Sequence, residues 1–250
     1  METNILVREP AFGIRALARE TLRGNWLKGF LATIIYAIVL CVPPIILLAV
    51  FGATIGESVG NLYTLLVWGP FAYGYTLFCV SIFRAKEARL EQIFYGFENF
   101  GKALVIMVLI EIFTFLWSLL FVIPGIIAGY RYSQAFYIMV DHPELSAMQC
   151  IAASKYMMIG NKYKLFCLQF SFIGWSILAS IPLGIYSNFA LPDNFMSSLL
   201  GIAFAIPILL VVLYMSIAQT AFYDIASGNL RPGVIESTAE VFDEEKDAGF

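Results

Sequence analysis

Charge is scarce in this chain. Only 13% of its 250 residues are Asp, Glu, Lys or Arg, where soluble chains carry about a quarter. Histidine occurs once, at His142, and cysteine four times. That leaves no ligand set for zinc, because neither H-E-x-x-H nor a C-x-x-C pair is present. Cys41, Cys79, Cys150 and Cys167 lie in or beside apolar runs, where cysteine acts as a small hydrophobe, and they are too few for a disulfide scaffold. Walker A and G-x-G-x-x-G loops are missing too. Neither metal, nor cofactor, nor nucleic acid is expected as a partner, and no catalytic set is legible. A membrane-embedded lipid enzyme would need clustered polar residues at the inner face, for which Asp141, His142 and Asp224 are the only candidates; His142 itself reads as a turn or capping residue.

What is abundant is apolar sequence. Hydrophobic residues make up 60% of the chain, aromatic residues 16%, and the mean hydropathy is +0.81. A bilayer core takes about 20 apolar residues per helix. Six stretches fit, at 26–50, 62–83, 103–123, 124–140, 165–187 and 198–223. They are continuous rather than alternating, so helices and not a barrel are predicted. The expected architecture is all-α: a leader at 1–25, a six-helix membrane domain at 26–224, and an acidic tail at 225–250 rich in Glu and Asp. The first run is much longer than a signal peptide's apolar region and no A-x-A site follows it, so it reads as a retained anchor.

Positive charge orients the helices. Arg8, Arg15, Arg19, Arg23 and Lys28 precede or open the first run. Arg84, Lys86, Arg89 and Lys102 lie between the second and third, and Lys155, Lys162 and Lys164 between the fourth and fifth. The loops at 51–61 and 188–197 hold Glu57 and Asp193 but no basic residue. With Arg231 and Lys246 in the tail, fourteen of fifteen cations fall on one side and Arg131 is left over. By the positive-inside rule both termini are cytoplasmic. Between Lys102 and Asp141 there is room for two crossings and almost no turn. A tight hairpin keeps 155–164 inside and is preferred; one long kinked helix with a re-entrant piece is the alternative.

The chain also resembles one unit used three times. Gly24-Asn25-Trp26-Leu27-Lys28-Gly29-Phe30 and Gly160-Asn161-Lys162-Tyr163-Lys164-Leu165-Phe166 share G-N-x-x-K-x-F, and Lys102 stands at the matching entry to the third run. Each even-numbered run places a proline seventeen residues before an acid: Pro70 and Glu87, Pro124 and Asp141, Pro207 and Asp224. A unit would then be a cytoplasmic amphipathic helix, an outward span and a returning span. In the leader, Ile14, Leu17, Ala18 and Leu22 form an apolar stripe, and Arg15, Arg19 and Arg23 a basic one. Leu90, Ile93, Phe94 and Phe97 form a second apolar stripe. Such helices either lie in the membrane interface, with Arg15, Arg19, Arg23 and Lys28 against anionic inner-leaflet lipid, or pack on the end of the bundle.

Polar residues inside apolar runs mark candidate sites. Glu111 and Arg131 are the two ionisable ones, each roughly 13–15 Å deep at 1.5 Å per residue. With a hairpin apex near 121–122 they face one another and an ion pair is expected; with an apex at Pro124-Gly125 they are offset. Gln134, Gln169 and Gln219 read as interhelical hydrogen-bonding groups, and Gly125 and Gly129 as a G-x-x-x-G that lets helices approach.

Pro124-Gly125-Ile126-Ile127, Tyr130, Tyr132-Ser133, Asp141-x-Pro143 with Leu145-Ser146, Met157-Met158-x-Gly160 and Ser171-Phe172-Ile173-Gly174-Trp175 together resemble a bacterial integral membrane family, domain of unknown function 975. Gln149-Cys150 departs from the acidic or small residues expected there. The resemblance implies a multi-pass protein of a bacterial plasma membrane and no particular activity. Two functions remain open: a non-enzymatic component that meets lipids, peptides or a membrane-protein partner, in envelope maintenance or as a transport accessory, or a small transporter or channel working through Glu111 and Arg131. A polar cavity reaching Glu111 would favour the second, and a dry interior the first. The oligomeric state is not legible.

Overall fold

The structure, a computed structural model, describes residues 5–84, 88–188 and 195–230, with backbone only at 187–188, 195–199 and 202. Glu87, Lys86, Asp193 and the acidic tail beyond residue 230 lie outside the described residues. In chain order the elements are α1 (Ala11–Leu22), α2 (Trp26–Phe83), a 3-10 helix (Leu90–Phe97), α3 (Phe100–Leu120), α4 (Val122–Tyr132), α5 (Ala135–Asp141), α6 (Ala147–Met157), α7 (Lys162–Phe170), α8 (Ile173–Asn188) and α9 (Phe195–Ser227). No strand occurs among the described residues. Among the described residues four helices are long and apolar enough to cross a membrane: Trp26–Phe83, Phe100–Leu120, Lys162–Tyr186 and Ala203–Ser227.

The first of these is a hairpin. Gly52, at φ 75° and ψ 177°, interrupts α2 in a conformation that costs a residue without a Cβ little. The two arms, 26–51 and 53–83, run back along one another. Tyr63 donates to the Val39 carbonyl at 2.9 Å, and the Thr33 and Tyr75 hydroxyls meet at 2.9 Å. The expected loop at 51–61 is therefore mostly helix, because one glycine suffices to turn the chain.

The second hairpin turns at Phe121, whose backbone is extended (φ −161°, ψ 155°). Its N–H donates to Trp117 and its carbonyl accepts from Gly125, so the turn residue's backbone groups are satisfied without a polar loop. The chain thus doubles back here as a hairpin rather than continuing as one helix. The returning limb is not one helix, as 124–140 had predicted: it stops at Tyr132 and restarts at Ala135. Ser154 of α6 explains the break. Its Oγ donates to the Arg131 carbonyl at 2.8 Å and accepts from the Gln134 N–H at 3.2 Å, replacing backbone bonds of the helix.

The predicted close-approach pair is half right. A Cβ on Gly125 would overlap Ser118 of α3, whereas one on Gly129 would meet nothing within 4 Å.

The basic residues gather at the end opposite these turns, where α1, the 3-10 helix and α6 lie. The 3-10 helix packs under the second arm of α2; a side chain on Gly74 or Gly96 would collide with the facing backbone of Ile93 or Pro70. α6 packs against α5, and α1 against α9, where Tyr214 donates to the Arg15 carbonyl at 2.9 Å.

Ile14, Leu17, Ala18 and Leu22 are buried in one core cluster with Leu165, Leu168, Leu213 and Ile217. Of the two readings of the leader's apolar stripe, packing on the end of the bundle is the one the structure shows: α9 and α7 offer it a protein surface. In the 3-10 helix Ile93 is buried, while Phe94 and Phe97 stay exposed and meet Phe71 edge-on. Elsewhere the outer surface is apolar. Leu119, Phe121, Val122 and Ile123 are each more than 70% exposed, a surface compatible with a membrane setting and ill suited to water.

Candidate functional site

A cavity of about 350 Å³ lies inside the bundle. Every limb near it contributes: Tyr36 from the first arm of α2, Trp68, Tyr75 and Thr76 from the second, Glu111 from α3, Tyr132 and Ser133 from the end of α4, Phe136 and Tyr137 from the returning limb, and Ser216 and Gln219 from α9. The interior beside Glu111 is therefore not fully packed. Trp68 and Glu111 are the two exposed members of the lining and form its mouth. Glu111 is the only charged residue of the wall.

Arg131 does not line the cavity, and no ion pair joins it to Glu111. The turn does fall at Phe121, ten residues from each of them along the chain. Tyr132 and Ser133 take the positions facing the cavity, and one residue of helix, about 100°, turns Arg131 away. Its backbone carbonyl is taken by Ser154 of α6. Gln134 is fully buried, and its Nε2 donates to neighbouring Ser133 at 3.0 Å. It therefore secures the helix break rather than bridging helices. Gln169 does bridge, accepting from Tyr130 at 2.8 Å, and Gln219 faces the cavity.

Toward the basic end the cavity is floored by a charge cluster. Arg84, just past α2, points its guanidinium at two carboxylates. Nη1 and Nη2 donate to Asp141 at 2.6 and 2.8 Å, and Nε donates to Asp224 at 3.0 Å. Asp141 also accepts from Tyr223 at 2.9 Å and from Asn229 at 3.0 Å. The three charged side chains are 18%, 14% and 3% exposed. Burial pushes the Asp141 carboxyl up, but its hydrogen bonds to Arg84 and that residue's charge outweigh burial and hold it below its ordinary value. The same contacts raise Arg84 despite its burial.

Cys79, Tyr137 and Gln219 line the cavity; Arg84, Asp141 and Asp224 follow on the same chain segments five, four and five residues later. That step is about 6–8 Å. Of the three residues considered for an inner-face cluster, Asp141 and Asp224 do converge. His142 does not: it is exposed and meets only Glu144, at 3.2 Å. Arg84 was missed as anything but a loop cation. The signal that pointed to the cluster was the seventeen-residue proline-to-acid spacing, which put Asp141 and Asp224 at matching heights.

The basic candidates separate. Arg19, Arg23 and Lys28 are exposed, while Arg15 is half-buried and reaches the Ser171 carbonyl at 3.5 Å. No group of three or more potential metal-ligating side chains occurs among the described residues.

Residues 9–128 and 119–229 match the family described as "Protein of unknown function (DUF975)", and the chain belongs to that family. No curated protein and no solved structure matches it.

Proposed function

Because the family's description assigns no activity, the reading rests on the site, and we propose that this is a six-span plasma-membrane protein, without enzymatic activity, that takes a small solute into its central cavity and moves it across the bilayer. The observation that carries this reading is the cavity itself, which reaches a carboxylate, Glu111; at the depth six spans would give it, a charge costs several kcal/mol unless it serves a pair or a wet site. Among the described residues no cation is paired with it. Cavities between the helices of a bundle are where small ligands bind.

Six spans follow if the arms of α2 count separately and α4 with α5 counts as one interrupted crossing. Interrupted helices beside a midplane site are usual in transporters. In this reading the three short helices at the basic end open three hairpin units, and both termini are cytoplasmic. The matching turns support the units: Gly24 and Gly160 have φ 85° and 82°, and the Asn25 and Asn161 amides each donate to the carbonyl four residues back. Arg19, Arg23 and Lys28 then meet anionic lipid of the inner leaflet, without Arg15.

Purified full-length protein in pyranine-loaded proteoliposomes, under an inside-negative potassium diffusion potential, tests the transport reading. Acidification faster than in protein-free vesicles, and lost in Glu111→Gln, is the expected result. A wild-type rate equal to that of empty vesicles overturns it and leaves the accessory, partner-binding role.

A further inference from the structure

We infer that the cavity accepts an organic cation with an apolar body, an amine or quaternary ammonium, held between aromatic ring faces and the Glu111 carboxylate. This rests on reading the cavity as a ligand site and adds its chemistry.

The charge inventory of the wall sets the sign. Glu111 is its only ionisable carboxylate and no Lys or Arg lines it. Of the cations nearby, Arg84 is occupied by Asp141 and Asp224, and Arg131 is not among the lining residues. An anionic ligand would meet one negative charge and no positive one. An inorganic divalent cation would ask for six or more oxygens, and Glu111 alone supplies a carboxylate here.

The rest of the wall fits an organic cation better. Six of its fifteen residues are aromatic: Tyr36, Trp68, Tyr75, Tyr132, Phe136 and Tyr137. Ring faces attract ammonium groups through their quadrupole, Trp most strongly, and more so away from water. Trp68 and Glu111 are together at the mouth, so the strongest ring and the carboxylate meet an entering ligand first. The mouth opens through an apolar surface that includes Leu65, Ile112 and Phe115, which favours a ligand carrying its own apolar body. The volume, about 350 Å³, lies at the low end for small-molecule sites and limits the ligand to a compact one.

Calorimetric titration of the full chain in nanodiscs, with empty nanodiscs as blank, tests this with two probes of one shape: benzyltrimethylammonium and its uncharged carbon isostere neopentylbenzene. Saturable binding of the cation is expected, at least tenfold tighter than the isostere. Glu111→Gln should weaken the cation about tenfold or more and leave the isostere unchanged, Trp68→Leu should weaken it about tenfold, and Glu111→Asp should keep the preference. Equal binding of both probes overturns the cation while leaving a ligand cavity and the proton-flux result standing. Saturable binding of neither overturns it as well, and the flux assay then reports separately on the transport reading.

Discussion

Tyr223 donates its phenolic hydrogen to Asp141 at 2.9 Å, and its ring stacks on Tyr137 with 5.1 Å between centroids. Tyr137 is a wall of the cavity and Asp141 a member of the charge cluster, so one side chain spans from site to floor. The floor closes the basic end by joining the ends of three returning limbs through Arg84. A ligand that displaces Tyr137 thereby acts on the contacts that hold those ends together.

Arg84→Ala should lower stability by about 3 kcal/mol, the cost of leaving buried carboxylates without their partner. Arg84→Lys should recover little of it, since a single ammonium does not reproduce three directed N–H donors. Thermal unfolding followed by a thiol-reactive dye reads this directly, because Cys79 and Cys150 are buried in the folded protein. An unchanged melting temperature in Arg84→Ala would mean that the cluster holds nothing together.

The same cluster predicts a pH dependence. Folding holds the Asp141 carboxyl below its ordinary value near 3.8, so the ionised form is the one the folded state prefers. Its stabilisation is complete above that value and drains away as the pH falls past it toward the folded-state value. Melting temperatures should hold steady down to about pH 5 and fall below about pH 4. In Asp141→Asn they should start lower at pH 7 and fall less steeply on acidification. Parallel curves for the two proteins would remove Asp141 from the account.

Much of this was readable from residues alone. Apolar runs announce helices because hydrocarbon forces backbone groups to pair within a segment. The Phe121 turn was bracketed within a residue or so by counting between Lys102 and Asp141. What could not be read was azimuth. Whether Arg131 faces Glu111 depends on how α4 leaves the Phe121 turn, which an apolar run does not encode. Likewise the leader's stripe is equally amphipathic whether it meets lipid or α9; only the presence of a complementary protein face decides. Arg84 escaped notice because a cation after an apolar run ordinarily serves only to orient it.

Glycines offer a test of packing with an internal control. A Cβ on Gly96 would sit inside the Pro70 carbonyl, and the two backbones have no side chain between them to yield. Gly96→Ala should cost more than about 2 kcal/mol, in the range of overpacked cores. Gly129→Ala, with nothing in reach, should be neutral or slightly stabilising by helix propensity. Equal effects of the two substitutions, measured by the same thermal assay, would contradict the packing of the 3-10 helix under α2.

Topology decides whether Glu111 lies in the membrane at all. If the arms of α2 are separate crossings, Glu57, five residues past the Gly52 turn, lies on the face opposite Lys155 of α6. Glu57→Cys and Lys155→Cys, each in a background with the four native cysteines replaced, should react with an impermeant maleimide from opposite sides of intact cells. The first should label without permeabilisation and the second only after it, since the basic end is the inner one by the charge rule. Labelling of both from outside would place the ends of the first hairpin and α6 in one compartment. The depth argument for Glu111 would fail with it, whatever the cavity binds in detergent.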